Sequence, residues 1–206
     1  KNQITKKYSR FDKGNIAIQK REYAEKYLVG IDFNPDLAKV AKMNMVINED
    51  GHGGIFCENS LLSTDNLGKD ALNRLTYKKD NELKMDKFDI VITNPPFGSK
   101  GKIDDKDILA LYELGHEWKK DKITNKWTKT KSIKKNQVPD ILFIERCIQF
   151  LRDSGRLGIV LPEGVLGNST EGYVREYILQ KTNVLAVVDL PKETFQPETS
   201  TKTCVL

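Results

Sequence analysis

The sequence predicts an α/β fold: a mostly parallel sheet with helices on both faces. Two observations carry this. Short apolar runs of strand length alternate with segments of helical periodicity, and strand–helix alternation builds a parallel sheet whose crossovers cover it. The apolar runs also end on or just before polar residues, at Asp32, Asn59, Asn94 and Asp189. The carboxyl ends of such strands are where ligands bind in open α/β sheets.

The elements follow in order. Residues 1–26 are polar and lysine-rich and read as an upstream helical segment. Tyr27-Leu28-Val29-Gly30-Ile31 reads as a short buried strand ending at Asp32. Asn34-Pro35 starts a helix, with Asn as the cap and Pro at the first helical position. Leu37, Val40, Ala41, Met45 and Ile47 give that helix an apolar face. Gly51-His52-Gly53-Gly54 forms a loop before a second strand, Ile55-Phe56-Cys57, and the polar stretch Ser63 to Lys87 crosses to a third, residues 88–93. After a lysine-rich insertion over 119–137, Pro139-Asp140 opens a helix faced by Ile141, Ile144, Cys147, Ile148 and Leu151, with Gly155 as its stop. Leu157 to Leu161 is the next strand, ended by Pro162. Thr170 caps a helix holding Tyr173, Val174, Tyr177 and Ile178. Val184 to Val188 and Thr203 to Leu206 are the last strands.

Composition narrows the class. At 206 residues, 38% hydrophobic and 31% charged, the chain suits one globular domain with a full core. No apolar run approaches the ~18 residues of a membrane span. Cys57, Cys147 and Cys204 are far apart in apolar surroundings, which fits small core residues in a reducing cytosol. His52 and His116 lack a second ligand at metal spacing, so no metal is expected. Residues 119–135 hold eight lysines against Asp121 alone, a local charge of +7. The rest of the chain therefore carries −2 of the total +5. Trp118 and Trp127 lie in or beside this segment, a pattern that fits contact with a nucleic-acid backbone. The alternative is a solvated hairpin whose lysines only keep it soluble.

The most informative motif is Asn94-Pro95-Pro96-Phe97, at the end of Phe88-Asp89-Ile90-Val91-Ile92-Thr93. Two prolines fix the loop and supply no N–H groups. A stiff loop with an amide oxygen, a free carbonyl and a flat ring can grip a planar group that carries an NH2. Asp32 ends the first strand, where a carboxylate can accept both hydroxyls of a ribose. The competing reading is an acid stabilised by a helix N-terminus. Glu58-Asn59-Ser60 follows the second strand in the position to touch a nucleotide base. No Gly-x-x-x-x-Gly-Lys-Ser/Thr loop occurs, and no cysteine follows a proline as covalent cytosine methylation requires. Gly98-Ser99-Lys100-Gly101-Lys102 reads as a flexible loop beside the site.

From Leu28 to Leu206 the chain resembles the methyltransferase subunit of type I restriction-modification systems, the N6-adenine DNA methylase family. Asn94, Pro95, Pro96 and Phe97 match the family's catalytic signature. Asp32, with Phe33 beside it, matches the acid that binds the S-adenosylmethionine ribose. Asn59-Ser60-Leu61 matches the site for the cofactor's adenine, and Asn94 lies at the cofactor as well. Gly155 to Leu166, and Val184 to Leu206 with Asp189-Leu190-Pro191 and Phe195, are similar to the family's later blocks. The resemblance implies a Rossmann-like methyltransferase fold that uses S-adenosylmethionine. It implies methyl transfer to a flipped adenine in double-stranded DNA, alongside a specificity and a restriction subunit, with no membrane. Lys100, Lys102, Lys126, Lys129 and Lys131 are then candidate nucleic-acid contacts. The family's glycine-rich cofactor loop and first central strand have no match, because residues 1–26 hold only Gly14. The N-terminal helical domain and C-terminal region of the family are also unmatched. On that basis the 206-residue chain is expected to be a partial catalytic domain that is inactive by itself. Methylation of an RNA base or a protein glutamine amide stays open, as does a non-catalytic nucleic-acid-binding role.

Overall fold

The computed structural model describes residues 13–51, 53–98, 101–197 and 199–206. The chain divides into two compact units, Lys1–Tyr77 and Lys78–Leu206. The first unit opens with helix α1 (Lys13–Tyr27). Residues 1–12 lie outside the described residues, as does His52 of the glycine loop. Tyr27 ends this helix instead of opening a strand. Leu28 N still donates to Ala24 O at 2.9 Å, so helical bonding runs past the point where the apolar run begins.

Strand β1 is therefore Gly30–Asp32, and it pairs in parallel with β2 (Ile55–Cys57), Asp32 lying opposite Cys57. Between them runs α2 (Pro35–Ile47). The Asn34 side-chain oxygen accepts from Asp36 N at 2.8 Å and Leu37 N at 3.2 Å, and Pro35 needs no donor at the first position. Ala38 is buried and Ala41 and Met45 are half-buried, whereas Leu37, Val40 and Ile47 are exposed. The expected apolar face is thus rotated. The alanine side packs on β1 and β2, because short side chains allow the closest approach to a two-stranded sheet. The polar crossing also contains α3 (Lys69–Leu75), which buries Ala71 and Leu75. A hairpin of β3 (Tyr77–Lys79) and β4 (Glu82–Lys84) follows. Asp80 and Asn81 at its tip take φ of 53° and 63°, the left-handed pair that a tight hairpin turn requires.

The second unit contains β5 (Phe88–Thr93), α4 (Lys106–Ala110), β6 (His116–Lys120), β7 (Trp127–Ile133), α5 (Pro139–Phe150), β8 (Leu151–Pro162), α6 (Glu163–Gly167), α7 (Gly172–Lys181), β9 (Val188–Asp189) and β10 (Thr203–Val205). Its four-stranded sheet has the order β5-β8-β10-β9. β5 and β8 are parallel, and β10 runs antiparallel to both β8 and β9. The carboxyl ends of β5, β8 and β9 therefore share one edge, where β10 begins. Ile159 and Leu161 of β8 pack with Ile144 of α5, Val174 and Ile178 of α7, and Cys204 of β10. Each such large apolar chain contributes about 1.5–3 kcal/mol. Val91 of β5 joins this core, while Ile90 and Ile92 on the opposite face are 62% and 81% exposed. Among the described residues, β1 pairs only with β2 and β5 only with β8.

Three boundaries differ from the sequence reading. α5 starts at Pro139 as expected but stops at Phe150, and β8 continues directly from Leu151. Gly155 lies inside β8 beside Ser154 (φ 64°), where the pairing with β5 shifts register. Strand pairing with β5 outcompetes another helical turn there. Thr170 does not cap α7, which begins at Gly172; its hydroxyl meets Glu171 Oε1 at 3.4 Å. The start is set by packing, since a Cβ on Gly172 would lie 2.7 Å from the Trp127 indole nitrogen. Finally, the strand expected over Val184 to Val188 is reduced to β9, and Val184, Leu185 and Val187 are exposed.

Candidate active site

In the second unit, Asn94 leaves the carboxyl end of β5 directly after Thr93, which lies opposite Ile159 of β8. The Pro95 ring is buried, Asn94 and Pro96 are exposed, and Phe97 is half-buried. Burial of one proline fixes the loop, so the exposed amide is held on a stiff mount. No described residue hydrogen-bonds the Asn94 side chain, which leaves its oxygen and NH2 open to a ligand. Gly98 follows with φ 88°, a left-handed turn that releases the chain from the mount.

Phe97 meets the edge of Phe195, with ring centroids 5.9 Å apart and planes at 74°. Phe195 lies in the segment between β9 and β10, which returns to the same sheet edge. That segment is tied down at its base. Lys202 Nζ lies 3.1 Å from Asp189 Oδ2 at the end of β9 and 3.5 Å from Glu163 Oε1 at the start of α6, directly after β8. These carboxylates, Asp189 foremost, hold the lysine pKa above its usual value. The sequence showed Phe195 only through the family resemblance. Nothing local marks it as the partner of Phe97, because the contact joins two loops far apart in the chain.

In the first unit the strand-end residues are already partly engaged. Asp32 Oδ1 accepts from Asn34 N at 2.7 Å, which leaves Oδ2 for a ligand. Phe33 is 76% exposed, and its carbonyl lies 3.7 Å from the Cys57 thiol. Asn59 Oδ1 accepts from Leu61 N at 3.0 Å, a turn closed by the side chain, so only its NH2 is free. Ser60 is half-buried and the Leu61 side chain is buried, so Leu61 can meet a ligand only through its backbone. A carboxylate acceptor, an amide NH2 donor and an exposed ring together fit a nucleoside.

The lysine-rich segment is a real hairpin, but its tryptophans face inward. Trp118 and Trp127 each lie 6.1 Å from the Tyr173 ring, and both pack against the core. Trp118 Nε1 donates to Glu113 O at 3.0 Å. Lys129 is 3.7 Å from Glu113, which also pairs with Lys181 at 2.9 Å. Burial pushes the Glu113 carboxyl up, yet the two lysines hold it below the usual range. Lys102, Lys126 and Lys131 are exposed, and Lys100 lies outside the described residues. Cys147 is buried and its thiol is pushed up to about 12 by burial, which suits a packed side chain.

The sequence matches the model of the N-6 DNA methylase family over residues 9–206. It is 27% identical over 129 residues to the type I restriction enzyme EcoEI methylase subunit of Escherichia coli, covering 59% of this chain and 21% of that protein. A putative class I S-adenosylmethionine-dependent methyltransferase from Listeria monocytogenes superposes with TM-score 0.61 at 17% identity, over 87% of this chain and 43% of that one. The type I restriction enzyme EcoKI M protein superposes with TM-score 0.56 at 22% identity, over 98% of this chain and 34% of that one. The chain thus spans about a fifth of the curated relative and less than half of either solved structure. The fold is that of class I methyltransferases, and the chain belongs to the N-6 DNA methylase family.

Proposed function

We propose that the chain is the catalytic part of a type I restriction-modification methylase subunit that methylates N6 of an adenine flipped out of duplex DNA. The observation that carries this reading is the open Asn94 amide. It is mounted on buried Pro95 beside a ring-braced Phe97 at the carboxyl edge of the sheet. An adenine amino nitrogen is a poor nucleophile because its lone pair is delocalised into the ring. Asn94 Oδ1 and the Pro95 carbonyl each accept one of its N–H groups. That draws the lone pair out of conjugation and stabilises the positive charge that develops on nitrogen. Phe97 stacks on the base, and Phe195 holds the Phe97 ring at its angle. A stacked base duplex cannot reach such a loop, so the adenine leaves the helix first.

S-adenosylmethionine, when bound, supplies the electrophilic methyl group. Asp32 Oδ2 would accept the ribose hydroxyls, the Asn59 NH2 would meet the cofactor's adenine, and Phe33, Ser60 and the Leu61 backbone would flank it. No strong general base is required, because the alkylated nitrogen is acidic and water takes its proton. The sequence to be methylated is chosen by a specificity subunit, and a restriction subunit completes the complex in the cytoplasm.

The test offers methyl-labelled S-adenosylmethionine to the protein together with a specificity subunit. Duplex DNA, RNA and a glutamine-containing protein are supplied separately. Label appearing in DNA as N6-methyladenine, and absent with Asn94→Ala, is the expected result. Label in RNA or protein would move the substrate while keeping the chemistry. Label that persists at the wild-type rate with Asn94→Ala would sink the assignment.

A further inference from the structure

We propose that the β6–β7 hairpin is a clamp for the phosphate backbone of duplex DNA, with its lysines as the contacts and its tryptophans as the anchors. This rests on the reading of the chain as a DNA methylase. Three observations carry it: placement, anchoring and a division among the lysines.

The hairpin belongs to the excursion between the carboxyl end of β5 and the start of α5. Ile103 and Gln137 close its base, with paired backbone bonds of 2.8 and 2.9 Å. The excursion therefore leaves the Asn94 loop and returns to the same sheet edge. α7 follows β8 and starts at that edge too, and Trp127 rests on its first residue, Gly172. The end of the hairpin that carries Lys119, Lys120, Lys122 and Lys126 thus lies toward the side of the sheet where the amide is presented.

The mount is rigid. Trp118 and Trp127 grip Tyr173. Lys134 lies 4.4 Å over the same ring, with its Nζ 3.2 Å from the phenol oxygen. Gln137 Nε2 donates to the Tyr173 hydroxyl at 3.0 Å and to Leu114 O at 2.8 Å. Both tryptophan rings are half-buried, and the faces packed on Tyr173 and the core are closed to bases.

The lysines then divide. Lys129 and Lys134 are committed to Glu113 and Tyr173. Lys119, Lys120, Lys122, Lys126, Lys131 and Lys135 are exposed with no ion pair to a described residue. Asp121 is exposed and spends one carboxylate oxygen on its own turn, accepting from Ile123 N and Thr124 N at 2.8 and 2.7 Å, and Glu117 is the other acid on the hairpin. β7 runs for about 20 Å at the usual strand rise, long enough for its lysines to meet several phosphates. A face kept basic only for solubility needs neither this rigid mount nor this placement.

The experiment is fluorescence anisotropy of the protein with labelled duplex DNA across a salt series. K119Q/K120Q/K122Q/K126Q is compared with wild type and with K42Q/K69Q as a charge control. Each phosphate contact contributes about 0.9 to the slope of log affinity against log salt. The hairpin variant is expected to lose about two to four units of slope and at least about tenfold in affinity at low salt, with the control unchanged. The single variant K122E, in the exposed turn, carries the test if the quadruple variant melts early; a loss of about threefold or more is expected. An unchanged slope in a folded variant overturns the clamp, as does preferential loss of single-stranded RNA binding over duplex DNA. Binding is scored without methyl transfer. A flat result therefore leaves the Asn94→Ala transfer assay standing, and a failed transfer assay leaves the slope standing.

Discussion

The strand ends of the two units treat their polar side chains differently. In the first unit, Asp32 Oδ1 and Asn59 Oδ1 each accept a backbone N–H two residues onward, from Asn34 and Leu61. In the second unit, Asn94 sits at the matching point after β5 and shares its amide with no described residue. The first pair serves the fold and, on the proposed reading, a ligand as well. Asn94 accepts no N–H from its local backbone, so on the proposed reading its amide is left for the substrate. Committed oxygens link stability to function, and a free one separates them.

The sharpest way to break this contrast is Asn94→Ala. Methyl transfer is expected to fall by at least about 10²–10³, the usual cost of losing one preorganised group at a developing charge. Unfolding free energy should stay within about 0.5 kcal/mol of wild type, as for other exposed positions away from special features. Urea unfolding beside the transfer assay checks both halves. A stability loss of core-mutant size would show that Asn94 holds the loop.

Asp140 is the opposite extreme, a carboxyl at the start of α5 that is both buried and committed. Its Oδ1 accepts from Ile141 N at 3.0 Å, and burial, with Glu171 nearby, raises its pKa from 3.8 to about 6. The folded chain then keeps a proton between pH 4 and 6 that the unfolded chain releases. Stability therefore falls as pH rises through that window, by at most about 3 kcal/mol. Asp140→Asn retains the acceptor and removes the charge. The variant should gain on wild type as pH goes from 4 to 7, measured by urea unfolding at each pH. An equal difference at both values would mean that Asp140 ionises there without penalty.

Phe195→Ala tests whether the free amide is enough by itself. An edge-to-face ring pair is worth about 0.5–1.5 kcal/mol beyond its buried area, so loss of the brace should slow transfer by about tenfold. The DNA-binding salt slope should not change, since Phe195 carries no charge. Phe195→Tyr should recover most of the rate. If Ala at this position leaves the rate intact, Phe97 orients a base unaided.

Local signals explain which of these features were legible in the sequence. Asn34-Pro35 and Pro139 mark helix starts because a cap and a donor-free first residue act within one turn. Asn94-Pro95-Pro96-Phe97 was equally plain, being a rigid polar break after an apolar run. What tertiary packing decides was not legible. α3 hides in a polar crossing because two buried residues, Ala71 and Leu75, suffice for it. Thr170 looked like a cap, yet the Trp127 indole against Gly172 sets where α7 begins. Trp118 and Trp127 read as surface aromatics among lysines, because the pattern cannot show Tyr173 beneath them. The Phe97–Phe195 contact likewise exists only once β9 and β10 bring a distant loop back to the β5 edge.

The smallest effect separates the two duties of a committed oxygen. Asn59→Ala removes the acceptor for Leu61 N and should cost about 1 kcal/mol of stability, as lost side-chain caps do. Asn59→Asp keeps an oxygen in that place and should restore most of the loss, while removing the NH2 that a cofactor adenine would use. Calorimetric titration with S-adenosylmethionine should then weaken with both variants, although only Ala melts early. If Asp binds as tightly as Asn, the NH2 makes no contact and Asn59 belongs to the fold alone. If Ala melts normally, the Leu61 turn stands without its side-chain acceptor, and the contrast with Asn94 disappears.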